Sequence, residues 1–341
     1  MRGEVGRPAP ASGPNAAASA EALRPPARGR SGARRAVLAD EAYRALLGAF
    51  SLLVLVVAAL IVFESSRGAG PSLRAWGGRF LVSTEWDPVA NRFGALPYLH
   101  GTLVSSALAM LFAIPLGLGT AVFLAELAPR RIGDAVAFLV ELLASIPSIV
   151  YGLWGLFVLA PFLRTLVEPW LVAHLGFLPF FQGFPFGIGM LNAGIVLAVM
   201  VLPTVVSLSR EILLSTPRML REAALALGST RSEAIAVVLD AARPGILGAV
   251  ILALGRALGE TMAVTMVIGN SNRISASLLA PGSTMASVIA NEFTEATGDL
   301  YRSALIEIAL VLFVLTLLVN AGARLLVHWA TGGRRDVAGA V

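Results

Sequence analysis

The sequence predicts an all-α polytopic membrane protein with six transmembrane helices and both termini in the cytoplasm. Three observations carry this. The 341 residues are 57% hydrophobic and only 14% charged, whereas a soluble domain carries about 25% charged residues. Six stretches, 44–63, 99–126, 134–161, 186–209, 244–269 and 302–328, are apolar enough to cross a bilayer, for which a helix needs about 20 residues. The basic residues also segregate by side, and that segregation fixes the orientation.

Residues 1–36 are rich in Ala, Pro, Gly, Ser and Arg and hold almost no large apolar side chains. Such a segment buries too little surface to offset the entropy of ordering. It reads as a disordered cytoplasmic tail, extended to residue 43 where the first span begins. The apolar stretch that follows is too long for a signal peptide, and no small-residue cleavage site closes it. The first span and an external loop fill 44–98, a transmembrane core fills 99–328, and 329–341 forms a C-terminal cytoplasmic tail.

Several spans are interrupted by proline, at Pro115, Pro147 and Pro203, either as packing kinks or as gating hinges. With the N-terminus inside, 18 arginines fall in cytoplasmic segments and seven in external ones. The opposite orientation reverses that excess, against the positive-inside rule. The net charge of +5 therefore reflects membrane sidedness, and no nucleic-acid partner is expected. The external loop holds Trp76, Trp86 and Tyr98, read as interfacial anchors in preference to contacts for an external partner.

Composition also excludes chemistry. There is no cysteine, and all 26 basic residues are arginine. A Walker A loop needs a lysine on the nucleotide phosphates, so ATP hydrolysis has to come from another chain. His100, His174 and His328 lie far apart and form no metal-ligand pattern. Nothing in the sequence calls for a metal or cofactor.

The longest cytoplasmic connection, 210–243, is expected to form two short helices at an angle. Ala, Leu, Arg and Glu favour helix from Arg221 onward, and Gly228 can end the first helix with positive φ. Ser229 or Thr230 can cap the second, with Ser232 and Glu233 in its first turn. Ala223 and Ala224 are small enough for another protein to approach the backbone, and Leu225 and Leu227 offer apolar anchors. Composition alone fits equally a helical hairpin covering the end of the bundle. Glu222, Ala223, Ala224 and Gly228 resemble the Glu-Ala-Ala-x-x-x-Gly coupling motif of ABC importer permeases, in which the short helix docks into an ATPase. The family's Ile-x-Leu-Pro ending is replaced here by Val237-Val238-Leu239-Asp240.

The fifth span carries Arg256 and Glu260. Placed about 18 Å beyond Pro244, Arg256 is expected near the middle of the hydrocarbon, with Glu260 one turn further on the same face. Each such charge costs about 2.5–3.5 kcal/mol on insertion scales. One reading is a structural ion pair, although an i,i+4 pair contributes only a few tenths of a kcal/mol. The other puts Arg256 on the path of an oxyanion, which its planar guanidinium suits, with Glu260 holding it in place. Gly255 and Gly259 allow close backbone approach. Glu126, beside Arg130, is expected to be a solvated or paired end group. Glu141 and Glu307 are read as structural, and Asn270, Asn291 and Glu292 as helix caps.

From about residue 90 to 330 the chain resembles the C-type permeases of bacterial Pst phosphate importers, which have the type I ABC importer permease fold. The resemblance is carried by RALGETMAVTMVIGN at 256–270, IPSIVYGLWGLFVLAP at 146–161, NEFTEA at 291–296 and the Pro281-Gly282 pair. It implies a permease without its own ATPase. Its implied partners are an A-type permease subunit in a heterodimer, a soluble ABC ATPase dimer and an external phosphate-binding protein, with phosphate as substrate. It also implies a role in phosphate passage for Arg256 and Glu260. Competing readings are a permease for sulfate, molybdate or phosphonate, an ATPase-independent transporter or channel, and a membrane anchor or sensor.

Overall fold

The computed structural model describes residues 30–331, with side chains from 41 to 329. Among the described residues the secondary structure is helical, with only two isolated β-bridges. Residues 1–29 of the expected tail, and 332–341 at the other end, lie outside the described residues. The first helix, α1, runs Arg30–Gly68, so it starts well before residue 44; its early residues include the helix-favouring run ARRAVLADEAYRALL. Residues through Ile61 form one unit by themselves, an apolar helix long enough to cross a bilayer.

The second unit begins at Val62. Short helices α2 (Gly70–Trp76) and α3 (Arg79–Val82) lead to α4 (Leu96–Leu127), whose last turn, Phe123–Leu127, is π-helical. Then come α5 (Arg130–Ala144), α6 (Ser148–Leu175), α7 (Met190–Ser215) and α8 (Arg218–Ala226). The described residues finish with α9 (Arg231–Leu258), α10 (Met262–Val267), α11 (Met285–Glu292) and α12 (Asp299–Thr331). Helices α1, α4, α6, α7, α9 and α12 have the length and hydropathy to span a membrane.

Two spans differ from the sequence expectation. The third, expected over 134–161, runs instead over 148–175. Pro147 is extended (ψ 139°) and separates it from α5, because proline disfavours helix in the residue before it and lacks an N–H to continue the ladder. Residues 130–144, with Arg130, Arg131, Asp134 and Glu141, form a separate amphipathic helix. Pro147 is thus a helix start, not an internal kink; Pro115 and Pro203 do lie inside helices. The fifth span, expected over 244–269, begins at Arg231 and stops at Leu258. Pro244 lies within α9, and the Val237–Asp240 stretch is ordinary helix with Val238 buried. The second helix of the 210–243 connection is therefore not short: it is the start of the span.

Helix α7 is the most buried of the six, with 67% of its apolar window buried. Its face Ala193, Val196, Leu197, Met200, Val201 packs with Ala109 and Ala113 of α4, Ala253 and Ala257 of α9 and Val264 of α10. The first N–H groups of a helix have no intrahelical acceptor. Here Gly189 N donates to Val267 O (2.9 Å), and Met190 N and Leu191 N donate to Ala280 O (3.2 Å) and Leu278 O (2.8 Å). This pins α7, α10 and the 277–282 loop together. A second cluster joins Phe80, Phe93, Tyr98, Met285, Leu305 and Ile308.

Candidate functional site

At one end of α9 stands the connection to α8. Gly228 has φ +86°, its N–H bonds Leu225 O (3.0 Å), and Ser229 N–H bonds Ala224 O (3.2 Å). This is a Schellman ending that needs the left-handed conformation glycine adopts without penalty. Thr230 then caps α9: Glu233 N donates to Thr230 Oγ1 (3.4 Å), and Thr230 N donates to Glu233 Oε2 (2.7 Å). The reciprocal pair is a capping box. Glu222, Ala223, Leu225, Leu227 and Gly228 are exposed. Ala224 differs from the expectation: it is buried, and its small side chain lets α8 lie close on its own chain. Arg221 also turns inward and pairs with Glu126 at the end of α4. Glu126 is thus paired as expected, but with Arg221 and not with neighbouring Arg130. Glu141 is exposed on α5, outside the third span.

At the other end of α9 lies a break. Arg256 occupies its last turn, where a cation favours the helix C-terminus. The helix stops at Leu258, so Glu260 is not one turn further along the same helix, and the expected i,i+4 pair does not form. Glu260 Oε1 instead accepts from Ala263 N (3.2 Å), in the first turn of α10. Arg256 is exposed and has no hydrogen-bond or ion-pair partner among the described residues. It lies within electrostatic range of Tyr151 on α6, whose hydroxyl donates to Leu143 O (2.7 Å). Helix α6 approaches α10 closely: a Cβ on Gly152 would stand 3.0 Å from Ala263 Cα. Two π-helical turns, Gly155–Leu159 and Leu163–Val167, interrupt α6 here, a feature frequent at functional sites. Beside the break, Gly255, Thr316, Asn320 and Arg324 line a groove of about 750 Å³ between α9 and α12.

Asn270, at φ +50°, donates from Nδ2 to Thr265 O (2.9 Å) and closes α10 as a cap. Glu292 does not cap. It accepts from Trp86 Nε1 (2.7 Å) and Tyr301 OH (2.6 Å). Trp76, Trp86 and Tyr98 are not free interfacial anchors either: they pack in an aromatic cluster with Phe80, Phe93 and Tyr301. Glu307 is structural as expected, accepting from Ser72 Oγ and so holding α2 on α12. Sequence reasoning missed Glu168, buried in α6 and accepting from Gly187 N (2.8 Å), and Asn192, whose Nδ2 bonds Gly187 O (2.7 Å). A carboxylate within an apolar span was the available signal for Glu168.

Residues 113–331 match the family described as binding-protein-dependent transport system inner membrane component. A phosphate transport system permease protein PstC of Mesorhizobium japonicum is 47% identical over 296 residues, covering 85% of this chain and 90% of that protein. Proteins of the same name from Haemophilus influenzae (43%; 82% of this chain, 90% of that one) and Xylella fastidiosa (48%; 84% and 90%) are similar over nearly the same extent. Among solved structures, a chain of the MetNI methionine ABC transporter in an inward-facing conformation superposes with a TM-score of 0.52. It is 19% identical and covers 72% of this chain and 98% of its own length, a likeness of fold alone.

Proposed function

This chain belongs to the binding-protein-dependent transport system inner membrane components, and we propose that it is the C-type permease subunit of an ATP-driven phosphate importer. It is a multi-pass inner-membrane protein of the type I ABC importer permease fold. In this reading the termini and the α8 end are cytoplasmic. A soluble ABC ATPase dimer docks on Glu222, Ala223 and Gly228, with Ala224 seating α8. An A-type permease completes a heterodimer, and an external binding protein delivers phosphate.

The observation that carries the reading is Arg256. An arginine without a partner inside an apolar span costs several kcal/mol unless it meets water, another subunit or an anion. Irregular backbone such as Gly259–Thr261 is tolerated at membrane depth only where protein or a water-filled cavity surrounds it. A guanidinium at such a break suits a passing oxyanion, which it can bind in bidentate fashion. Glu260, bonded to the Ala263 amide, keeps a negative charge near it, so the anion is released and not trapped. The coupling helix α8 is joined through the Gly228 turn to α9, one continuous helix of 28 residues whose last turn holds Arg256, roughly 40 Å at 1.5 Å per residue. Displacement of α8 by ATPase closure therefore reaches the break through α9.

The test is uptake by proteoliposomes holding the chain with its partner permease and ATPase, supplied with the binding protein. ATP-dependent accumulation of labelled phosphate, undiminished by excess sulfate or molybdate, is the expected result. Displacement by sulfate or molybdate would move the substrate to that oxyanion. Uptake by this chain alone, driven by an ion gradient, would overturn the reading.

A further inference from the structure

We propose that the Glu126–Arg221 ion pair is the positioning strut that ties the coupling helix to the end of the second span, so that motion of α8 moves α4 together with α9. The inference rests on the coupling reading above and adds the residues that transmit it.

The pair is unlike the other ion pairs between described residues. Glu64–Arg67 and Glu85–Arg92 are solvated, with every side chain more than 60% exposed. Asp134–Arg210 (2.7 Å) has its carboxylate 63% exposed. Glu126 is only 4% exposed, and Arg221 is 31% exposed. A carboxylate withdrawn from water to that extent depends on its cation, because losing one partner leaves an uncompensated charge. Arg221 Nη2 makes the bond while its Nε is buried without a partner. Glu126 is therefore the polar anchor of Arg221.

The ground on which Glu126 stands is fixed. It lies in the π-helical last turn of α4. Within that turn Leu124 packs with Val140 of α5 and Val206 of α7. Ala125 in the same turn, and Ala121 and Val122 just before it, pack with Leu213 of α7 and with Val238, Ala242 and Ile246 of α9. The end of α4 is thus a platform bound to α5, α7 and α9. Along α8, Arg221 and Ala224 share the inward face while Glu222, Ala223 and Leu225 face outward, as i,i+3 spacing on a helix requires. Without the ion pair, α8 would still be joined to α9 by its Schellman turn, but a push on its outer face would reach α4 only indirectly, through the packing of α4 on α9.

The experiment uses the assembled complex in proteoliposomes and reads phosphate moved per ATP hydrolysed. Glu126→Gln and Arg221→Gln should each lower that ratio by about tenfold, since each leaves half of a part-buried pair without its partner, while the ATPase still co-purifies. The exchanged double variant, Glu126→Arg with Arg221→Glu, should recover at least half of the wild-type ratio. A role confined to stability would reduce yield and leave the ratio unchanged. Wild-type ratios in both single variants, or a double variant no better than the singles, would overturn the strut. If a single variant fails to assemble with the ATPase, assembly of the double supports the pair, and failure of both refutes it. A wild-type complex that imports no phosphate would instead remove the proposed function on which the strut rests.

Discussion

Gly228 is the residue on which the geometry of the coupling end turns. At φ +86° any side chain pays the left-handed penalty of about 1–2 kcal/mol. Gly228→Val should therefore lower the thermal midpoint of the purified complex and raise protease cleavage between α8 and α9. Thr230→Ala, which removes the cap, should act in the same direction by about 1 kcal/mol. Unchanged melting and cleavage in both would contradict the local account. These two positions were legible in the sequence because a Schellman glycine and a capping box are written within a few residues of each other. Glu126 and Arg221 were not, since 95 residues separate them and only the packing of α4, α7 and α9 brings them together. Arg256 and Glu260 were recognised as residues but misplaced as a pair. Their spacing reads as one helical turn only if the helix continues past Leu258, and it does not.

At the scale of the element, hydropathy located all six spans but misjudged the ends of two. The stretch 134–161 is apolar enough to hide a boundary, and Pro147 is the local signal that resolves it. The amphipathic α5 that results exposes Phe138, Leu139, Leu142 and Leu143 together with Glu141, a composition suited to an interface and not to the hydrocarbon core. The chain has no cysteine, so a single Glu141→Cys variant reports cleanly. In inverted vesicles a membrane-impermeant maleimide should label it within minutes. Protection equal to that of a cysteine placed in the middle of α6 would return 130–144 to the membrane. Helix α9 shows the converse error. Its early turns are polar enough to read as a short helix separate from the span, yet the capping box starts one helix that Pro244 does not end, because packing on α4 and α7 holds it.

For the whole molecule, the consequence is that the two sites inferred from sequence are joined by one helix, α9: α8 and its turn stand at its start and Arg256 in its last turn. Glu222, Ala223 and Gly228 present a surface at one end, and the unpartnered Arg256 stands at the other. Transport then requires both, while assembly and hydrolysis require only the first. The measurement that tests this most directly compares Arg256→Ala with wild type in the same proteoliposomes, recording ATP hydrolysis and labelled phosphate uptake together. The account predicts a complex that assembles, hydrolyses ATP in response to the loaded binding protein and moves almost no phosphate. Wild-type uptake by a fully inserted Arg256→Ala complex would contradict it.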